Sequence, residues 1–326
     1  MKTNCSDFSE ICEIINKFKT FAIYSHMHTD IDAIGSSLAM KKLLEKLGKT
    51  AHVFIDSVFP DNAKILNGVD KINNEKLDAY DVAIVLDCAD EKRLGRLVYK
   101  FRKNTKTTFQ IDHHLENPLF AKTNYVREEA SSTCELIYNL VCALGVSVDK
   151  DMAKCMISGI LTDTGCLKFS NTEPSTLVVV SKLLEILKIS MDEITYPLFN
   201  SLTISAFDLK KLSLNKLELV CRGRAGIIIL SKEDLESCSA TFEDTKGLTD
   251  LPMQIAKVKC VVVATQSPYD GIYYISVRTK DDYSSKSIAS EFGGGGHIKA
   301  AGAKIDEEPK IIREKLIKAI SKELEK

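Results

Sequence analysis

The sequence predicts a two-domain α/β protein. A larger N-terminal domain carries a parallel sheet with helices on both faces, and a smaller C-terminal domain combines a mixed sheet with helices. Three observations point there. Short apolar or β-branched runs at 21–25 (FAIYS), 50–55 (TAHVFI), 81–86 (DVAIVL) and 107–111 (TTFQI) alternate with helical or turn-rich stretches, the pattern of buried parallel strands. The chain is 326 residues long, more than one typical domain. After about residue 216 its texture changes to closely spaced strand pairs.

Between the first two runs, Met40, Leu43, Leu44 and Leu47 recur at i, i+3, i+4 and i+7, and Gly48 follows where a helix takes a left-handed stop. Ser132-Thr133-Cys134-Glu135 reads as a capping box opening a helix whose buried stripe is Ile137, Leu140, Val141 and Leu144. Further helices are expected at about 150–161 and 174–188, the latter with Pro174 in its first turn. Residues 190–215 lack strand character, which gives domains at 1–190 and 216–326 with a linker at 191–215. In the second domain LELVCR and AGIIIL form a hairpin turning at Arg222 to Arg224, and CVVVAT pairs with IYYISVR. A terminal amphipathic helix carries Leu316, Ile317, Ile320 and Leu324.

Composition narrows the function classes. Hydrophobic residues at 44% and charged residues at 27% describe an ordinary water-soluble protein without a disordered tract. Forty-four basic against forty-five acidic side chains leave a net charge of −1, too little pull for a long duplex polyanion but no obstacle to a short nucleotide. The ten cysteines lack zinc-site or disulfide spacing and are expected to be mostly buried, reduced thiols. The N-terminal stretch has acids within its apolar part and no long hydrophobic region, so we expect neither signal peptide nor membrane anchor and a cytoplasmic location.

The strongest local signal is His26-Met27-His28-Thr29-Asp30-Ile31-Asp32, between the first strand and a helix. Ligands in open α/β sheets gather beyond the carboxyl ends of strands. An extended backbone there would turn His26, His28, Asp30 and Asp32 to one side, while the plainer alternative makes Asp32 a helix cap. Recurrence favours a site: Asp87 ends the third strand, Asp112-His113-His114 ends the fourth, and Asp163 falls just past a helix in LTDTG. Carboxylates mixed with imidazoles and no thiolate suit Mn²⁺ or Mg²⁺ better than a structural zinc. Between Lys92 and Lys106 seven basic residues occur without an acid, read as a solvated helix face, with a phosphate-attracting rim as the alternative.

HMHTDID, VLDCAD, DHH and LTDTG, in this order, resemble the phosphoesterase motifs of the DHH family, and Gly293-Gly294-Gly295-Gly296-His297 followed by AAG resembles the DHH-associated C-terminal domain. The resemblance spans nearly the whole chain and implies an active site in the cleft between the domains. It implies two divalent cations, Mn²⁺ first with Mg²⁺ or Co²⁺ as alternatives. His26, Asp30 and Asp87 would hold one, and Asp32, Asp87, His113 and Asp163 the other. His114 would then lie beside the substrate phosphate, with Asp112 orienting a neighbouring histidine, and Arg278, Gly294, Gly295, Gly296 and His297 would bind substrate. His28 and Thr29 depart from the commoner Asn or Arg followed by Pro, which leaves open a ligand role for His28.

Within the family, the two-domain size and the GGGGH ending resemble nanoRNase/pAp phosphatase proteins. This implies hydrolysis of short oligoribonucleotides and linear dinucleotides such as pApA or pGpG to mononucleotides, or of pAp to AMP, by a homodimer. The alternative is a cyclic dinucleotide (c-di-AMP) phosphodiesterase. Further from the pattern lie an inorganic pyrophosphatase, which shares the metal motifs but lacks the glycine run, and a non-catalytic nucleotide-binding module, which would be expected to have lost a carboxylate.

Overall fold

The computed structural model describes residues 3–326 apart from 28, 75, 104 and 116. The chain divides into two compact units, Met1–Ser201 and Leu202–Lys326. The boundary falls within the stretch that lacked strand character, and that stretch is mostly helical. No helix among the described residues is long and apolar enough to cross a membrane. All ten cysteines are free; four are fully buried and Cys142 is exposed, so they are less uniformly buried than their composition suggested.

The first unit runs β1 (Thr3–Asn4), α1 (Ser9–Lys17), β2 (Thr20–Tyr24), α2 (Ile31–Lys46), β3 (Thr50–Phe54), β4 (Val82–Leu86), α3 (Val98–Arg102), β5 (Thr107–Asp112) and β6 (Thr123–Val126). It continues with α4 (Thr133–Ala143), α5 (Lys150–Asp163), α6 (Pro174–Leu187) and α7 (Asp192–Phe199). The sheet order is β1-β6-β5-β4-β2-β3, with every pairing parallel. The expected strands are all present, and β1 and β6 are additions.

Strand periodicity divides the core. Phe21 and Ile23 of β2 and Val82, Ile84 and Leu86 of β4 face a large core packed by α2, α4, α5 and α6. Ala22, Tyr24, Ala83 and Val85 face the other side, where a smaller core includes Leu94 of a 3₁₀ segment (Glu91–Leu97) and Phe101 of α3. The expected cover on both faces is therefore present but unequal. Because β2 pairs with β3 on one side and β4 on the other, chain direction across the sheet reverses beside β2, the kind of place where α/β sheets open a crevice at strand ends.

Helices α2 and α5 cross closely because Gly35 presents no Cβ. One built there would meet the backbone oxygen of Cys155 at 2.5 Å and the Cys134 sulfur at 3.2 Å. The contact presses α2, and with it the site residues at its start, against α5 and α4.

The second unit comprises α8 (Ile204–Asn215), β7 (Glu218–Val220), β8 (Ala225–Leu230), α9 (Lys232–Ser237), α10 (Asp250–Met253), β9 (Cys260–Gln266) and β10 (Tyr273–Thr279). It ends with α11 (Ser285–Ser290), β11 (Gly295–Gly296), β12 (Ala300–Ile305) and α12 (Pro309–Leu324). Its sheet, β11-β12-β10-β9-β8-β7, is mixed, with β8 and β9 parallel and the other pairs antiparallel. Both expected hairpins form. Val262, Ile275 and Val277 pack with Ile288 of α11 and with Ile312, Leu316 and Ile320 of α12. Val261 and Val263 face Leu209 and Leu235 on the opposite side.

Gly35→Ala should cost about 1–3 kcal/mol, the usual penalty for overpacking a filled core, because backbone rather than a flexible side chain blocks the methyl. A urea unfolding curve unchanged from wild type would contradict this packing.

Candidate metal centre

The site lies at the carboxyl ends of β2, β4 and β5. His26 follows β2, Asp87 follows β4, and Asp112, the last residue of β5, leads into His113 and His114. Asp163 is the last residue of α5, not a residue beyond it. The extended alternation expected for 26–32 stops early. Asp30 is the N-cap of α2 and accepts a bond from the Ala33 amide at 3.0 Å, while Asp32 already lies in the first helical turn. The cap is therefore Asp30, and Asp32 turns inward to full burial. His28 lies outside the described residues.

The ligand-type atoms fall into three overlapping groups, each within 4.8 Å: His26 with Asp30 and Asp87, Asp32 with His113 and Asp163, and Asp87 with His113 and His114. His26 Nε2 is 3.4 Å from Asp87 Oδ2 and 3.8 Å from Asp30 Oδ2. His113 Nε2 is 3.2 Å from Asp163 Oδ2 and 3.5 Å from Asp87 Oδ1. The two oxygens of Asp87 thus address different histidines.

Both histidines are oriented alike. Nδ1 of His26 lies 2.9 Å from the Met27 carbonyl oxygen, and Nδ1 of His113 lies 3.3 Å from that of Ala130. A carbonyl accepts only, so Nδ1 carries a proton, and Nε2 is the nitrogen turned to the carboxylates and left to ligate a cation, as is typical of metal-ligating histidine. Two oxygen or nitrogen ligands about 2.1 Å from one cation and roughly at right angles lie about 3 Å apart, close to the separations here. The donor set and its spacing fit divalent cations.

The electrostatics agree. Burial, then the charges of Asp87 and Asp163, push the Asp32 carboxyl well above the usual carboxylate range. Burial alone would raise Asp87 too, but His113, His26 and His114 hold it well below. Burial opposes a charged His113, and the Asp163 and Asp87 carboxylates outweigh it, raising its pKa. A buried cluster with more carboxylates than imidazoles favours protons or cations.

His114 lies beside Asp87, with Nδ1 3.7 Å from Oδ1, but Nδ1 donates to Asp112 Oδ1 at 2.8 Å and is thereby occupied. Asp112 is fully buried and its other oxygen accepts from the Asn117 amide. Asn117 went unremarked in the sequence, and Arg93, one of the seven basic residues of the 92–106 stretch, brings its guanidinium to 3.5 Å from His26 Nδ1.

Most of the basic 92–106 stretch is paired or solvated. Arg96 pairs with Asp56, Arg102 with Glu91 and Lys106 with Asp81. This favours the solvated-face reading over the rim.

In the second unit Arg278 is half-buried on β10, and its Nη1 donates to the Val277 carbonyl at 3.1 Å. Among the described residues no carboxylate is within salt-bridge distance of it, and burial lowers its pKa. The glycine run packs on β12. A Cβ at Gly294 would meet the Gly302 oxygen at 2.2 Å, and one at Gly296 the Ala301 Cα at 2.7 Å. The amides of Gly293, Gly294 and His297 bond to Ser290, Ala289 and Ala300 carbonyls. Close strand packing therefore accounts for Gly294 and Gly296, and the Gly294 and His297 amides are already paired with backbone carbonyls. Gly295 has open space around its Cα, and the His297 side chain is exposed.

Residues 20–160 match the DHH family, N-terminal domain, and residues 237–326 match the DHHA1 domain. The bifunctional oligoribonuclease and PAP phosphatase NrnA of Thermus thermophilus is 30% identical over 86% of this chain and 82% of the relative. The chain belongs to the DHH family. The protein of the same name from Bacillus subtilis is 26% identical over 93% of this chain and 96% of the relative. An exopolyphosphatase-related protein from Bacteroides fragilis superposes with a TM-score of 0.90 at 26% identity, covering 97% of this chain and 95% of that one. This DHH-family chain is accordingly a phosphoesterase, and its acid and histidine clusters suit the metal dependence of the family.

Burial pushes the Asp163 carboxyl up to about 6, with Asp30 and Asp87 adding to it against the pull of His113. The folded state then holds this proton more tightly than the unfolded chain, so between about 4 and 6 rising pH costs stability at this residue. In chelator, Asp163→Asn should gain stability relative to wild type as pH rises through that window, hold the gain above it, and show none below. Urea midpoints at the two ends of the window check this, and a difference that does not change with pH would contradict it.

Proposed function

We propose that this protein uses two divalent cations to hydrolyse short nucleotide phosphate esters, taking oligoribonucleotides and linear dinucleotides to mononucleotides and pAp to AMP. The observation that carries the reading is that Asp87 belongs to two ligand groups, one with His26 and Asp30 and one with His113 and His114, and that His113 in turn joins Asp32 and Asp163. The names of the Thermus and Bacillus relatives support the substrate class. Oxygen and imidazole donors without thiolate favour Mn²⁺.

When bound, such a cation pair supplies a lowered pKa for water and positive charge for the phosphoryl oxygens. The chain supplies the rest. Asp30 and Asp32 are fixed by backbone amides and so are pre-oriented before any ligand arrives. Asp112 accepts from His114 Nδ1 and fixes the ring, which we assign to a phosphoryl or leaving-group oxygen. Burial disfavours the charged form of His114, but Asp112 and Asp87 overcome it and raise its pKa, which suits a proton donor near neutrality. Arg278 and His297 are assigned to the nucleotide. A desolvated guanidinium with no carboxylate at salt-bridge distance among the described residues matches a phosphate or a base face.

Asp87→Asn should fold, because asparagine tolerates the left-handed backbone found at this residue (φ 53°), and should lose hydrolysis by more than about 100-fold. A Mn²⁺ assay over pAp, dinucleotides to pentanucleotides, c-di-AMP, its linear product and pyrophosphate tests the substrate class. Preference for pyrophosphate or for the cyclic dinucleotide would overturn it. Arg278→Ala should raise KM for oligonucleotides by about 10-fold or more, the worth of one charged hydrogen bond, with little change on a small generic phosphodiester. Equal effects on both would remove Arg278 from substrate binding.

A further inference from the structure

Thr133 is the first residue of α4 and is fully buried. Its amide donates to Asp32 Oδ2 at 2.8 Å, and the next amide, of Cys134, donates to Asp32 Oδ1 at 2.9 Å. Its hydroxyl donates to Asp87 Oδ1 at 3.2 Å. One residue therefore touches a carboxylate from each half of the centre.

The hydroxyl bond has a directional consequence. A carboxylate rotates readily about its last side-chain bond, which is broad and roughly two-fold. A donor held against Oδ1 selects one plane, in which Oδ1 faces His113 at 3.5 Å and Oδ2 faces His26 at 3.4 Å. Thr133 is itself held in place. Ser132 caps α4 by accepting from the Glu135 amide at 3.1 Å. Glu135 does not complete the expected capping box. Its buried carboxylate instead accepts from Ser131 Oγ at 2.5 Å, Ser175 Oγ at 2.9 Å and Thr176 Oγ1 at 2.8 Å, tying the start of α4 to α6.

We propose that Thr133 is a positioning residue for the dinuclear centre, its hydroxyl setting the plane of Asp87 so that the two oxygens serve different cations. This inference rests on the metal reading above. Loss of a hydrogen-bonding partner behind a ligand typically lowers metal affinity by about 10- to 100-fold, and because Asp87 is shared the loss should affect both cations.

The test is Mn²⁺ titration of the full chain by calorimetry and by the electron paramagnetic resonance of free Mn²⁺, independently of turnover. Thr133→Val keeps the shape and the amide but removes the hydroxyl, and should weaken both binding steps by about 10- to 100-fold. Thr133→Ser restores the donor and should bind as wild type. Urea unfolding in chelator checks that each variant folds, and Thr133→Ala replaces the valine variant if that one does not. Wild-type affinity in a folded variant without the hydroxyl overturns the inference and leaves the metal reading intact. An affinity loss in Thr133→Ser equal to that in Thr133→Val also overturns it, since a methyl group would then be responsible. A wild-type chain that binds no Mn²⁺ overturns the metal reading itself, and the inference with it.

Discussion

The first unit is organised around the burial of one carboxylate. Asp32 has no exposure to solvent, and a charged group in such a place must find strong partners or stay protonated. Its partners are the first amides of α4, where unpaired N–H groups and the helix dipole favour negative charge. Gly159 of α5 makes room, since a Cβ there would meet Asp32 Oδ1 at 2.6 Å. Helices α2, α4 and α5 thus meet at Asp32, and moving any of them disturbs its environment. Architecture and chemistry share one interaction.

The remaining ligands follow from sheet topology. Parallel strands end on the same side, so residues far apart in sequence, His26, Asp87 and His113, arrive together without needing any loop to reach across. Alternation along β4 then fills both cores with aliphatic side chains and leaves the polar residue to the position just after the strand. The centre is built from the ends of strands and helices, which hold side chains more precisely than loops do.

Much of this was legible in sequence because it depends on local signals. Apolar runs marked strands β2 to β5 to within a residue or two, and polar residues following three of them are among the acids and histidines that converge. Three things were not legible, each for a long-range reason. Strand β6 is short and half polar, and its pairing with β5 on one side and β1 on the other makes it a strand. Glu135 matched a capping box, yet its carboxylate is drawn away by hydroxyls of Ser175 and Thr176 some forty residues on. The glycine run was expected to bind substrate, whereas the need for glycine at 294 and 296 also comes from close packing on β12, whose proximity no local pattern announces.

One backbone angle has a bearing on how this centre can change over time. Asp87 has φ of 53°, a left-handed conformation in which short polar side chains and glycine are tolerated and most others are strained. Glutamate, elsewhere the natural exchange for aspartate, would meet a backbone penalty there as well as a longer reach. Aspartate, asparagine and glycine are the least strained choices at such an angle, and only the first keeps the charge. The fold can lose this centre in a single step through a residue that it accommodates, but it offers no comparably easy acidic substitute.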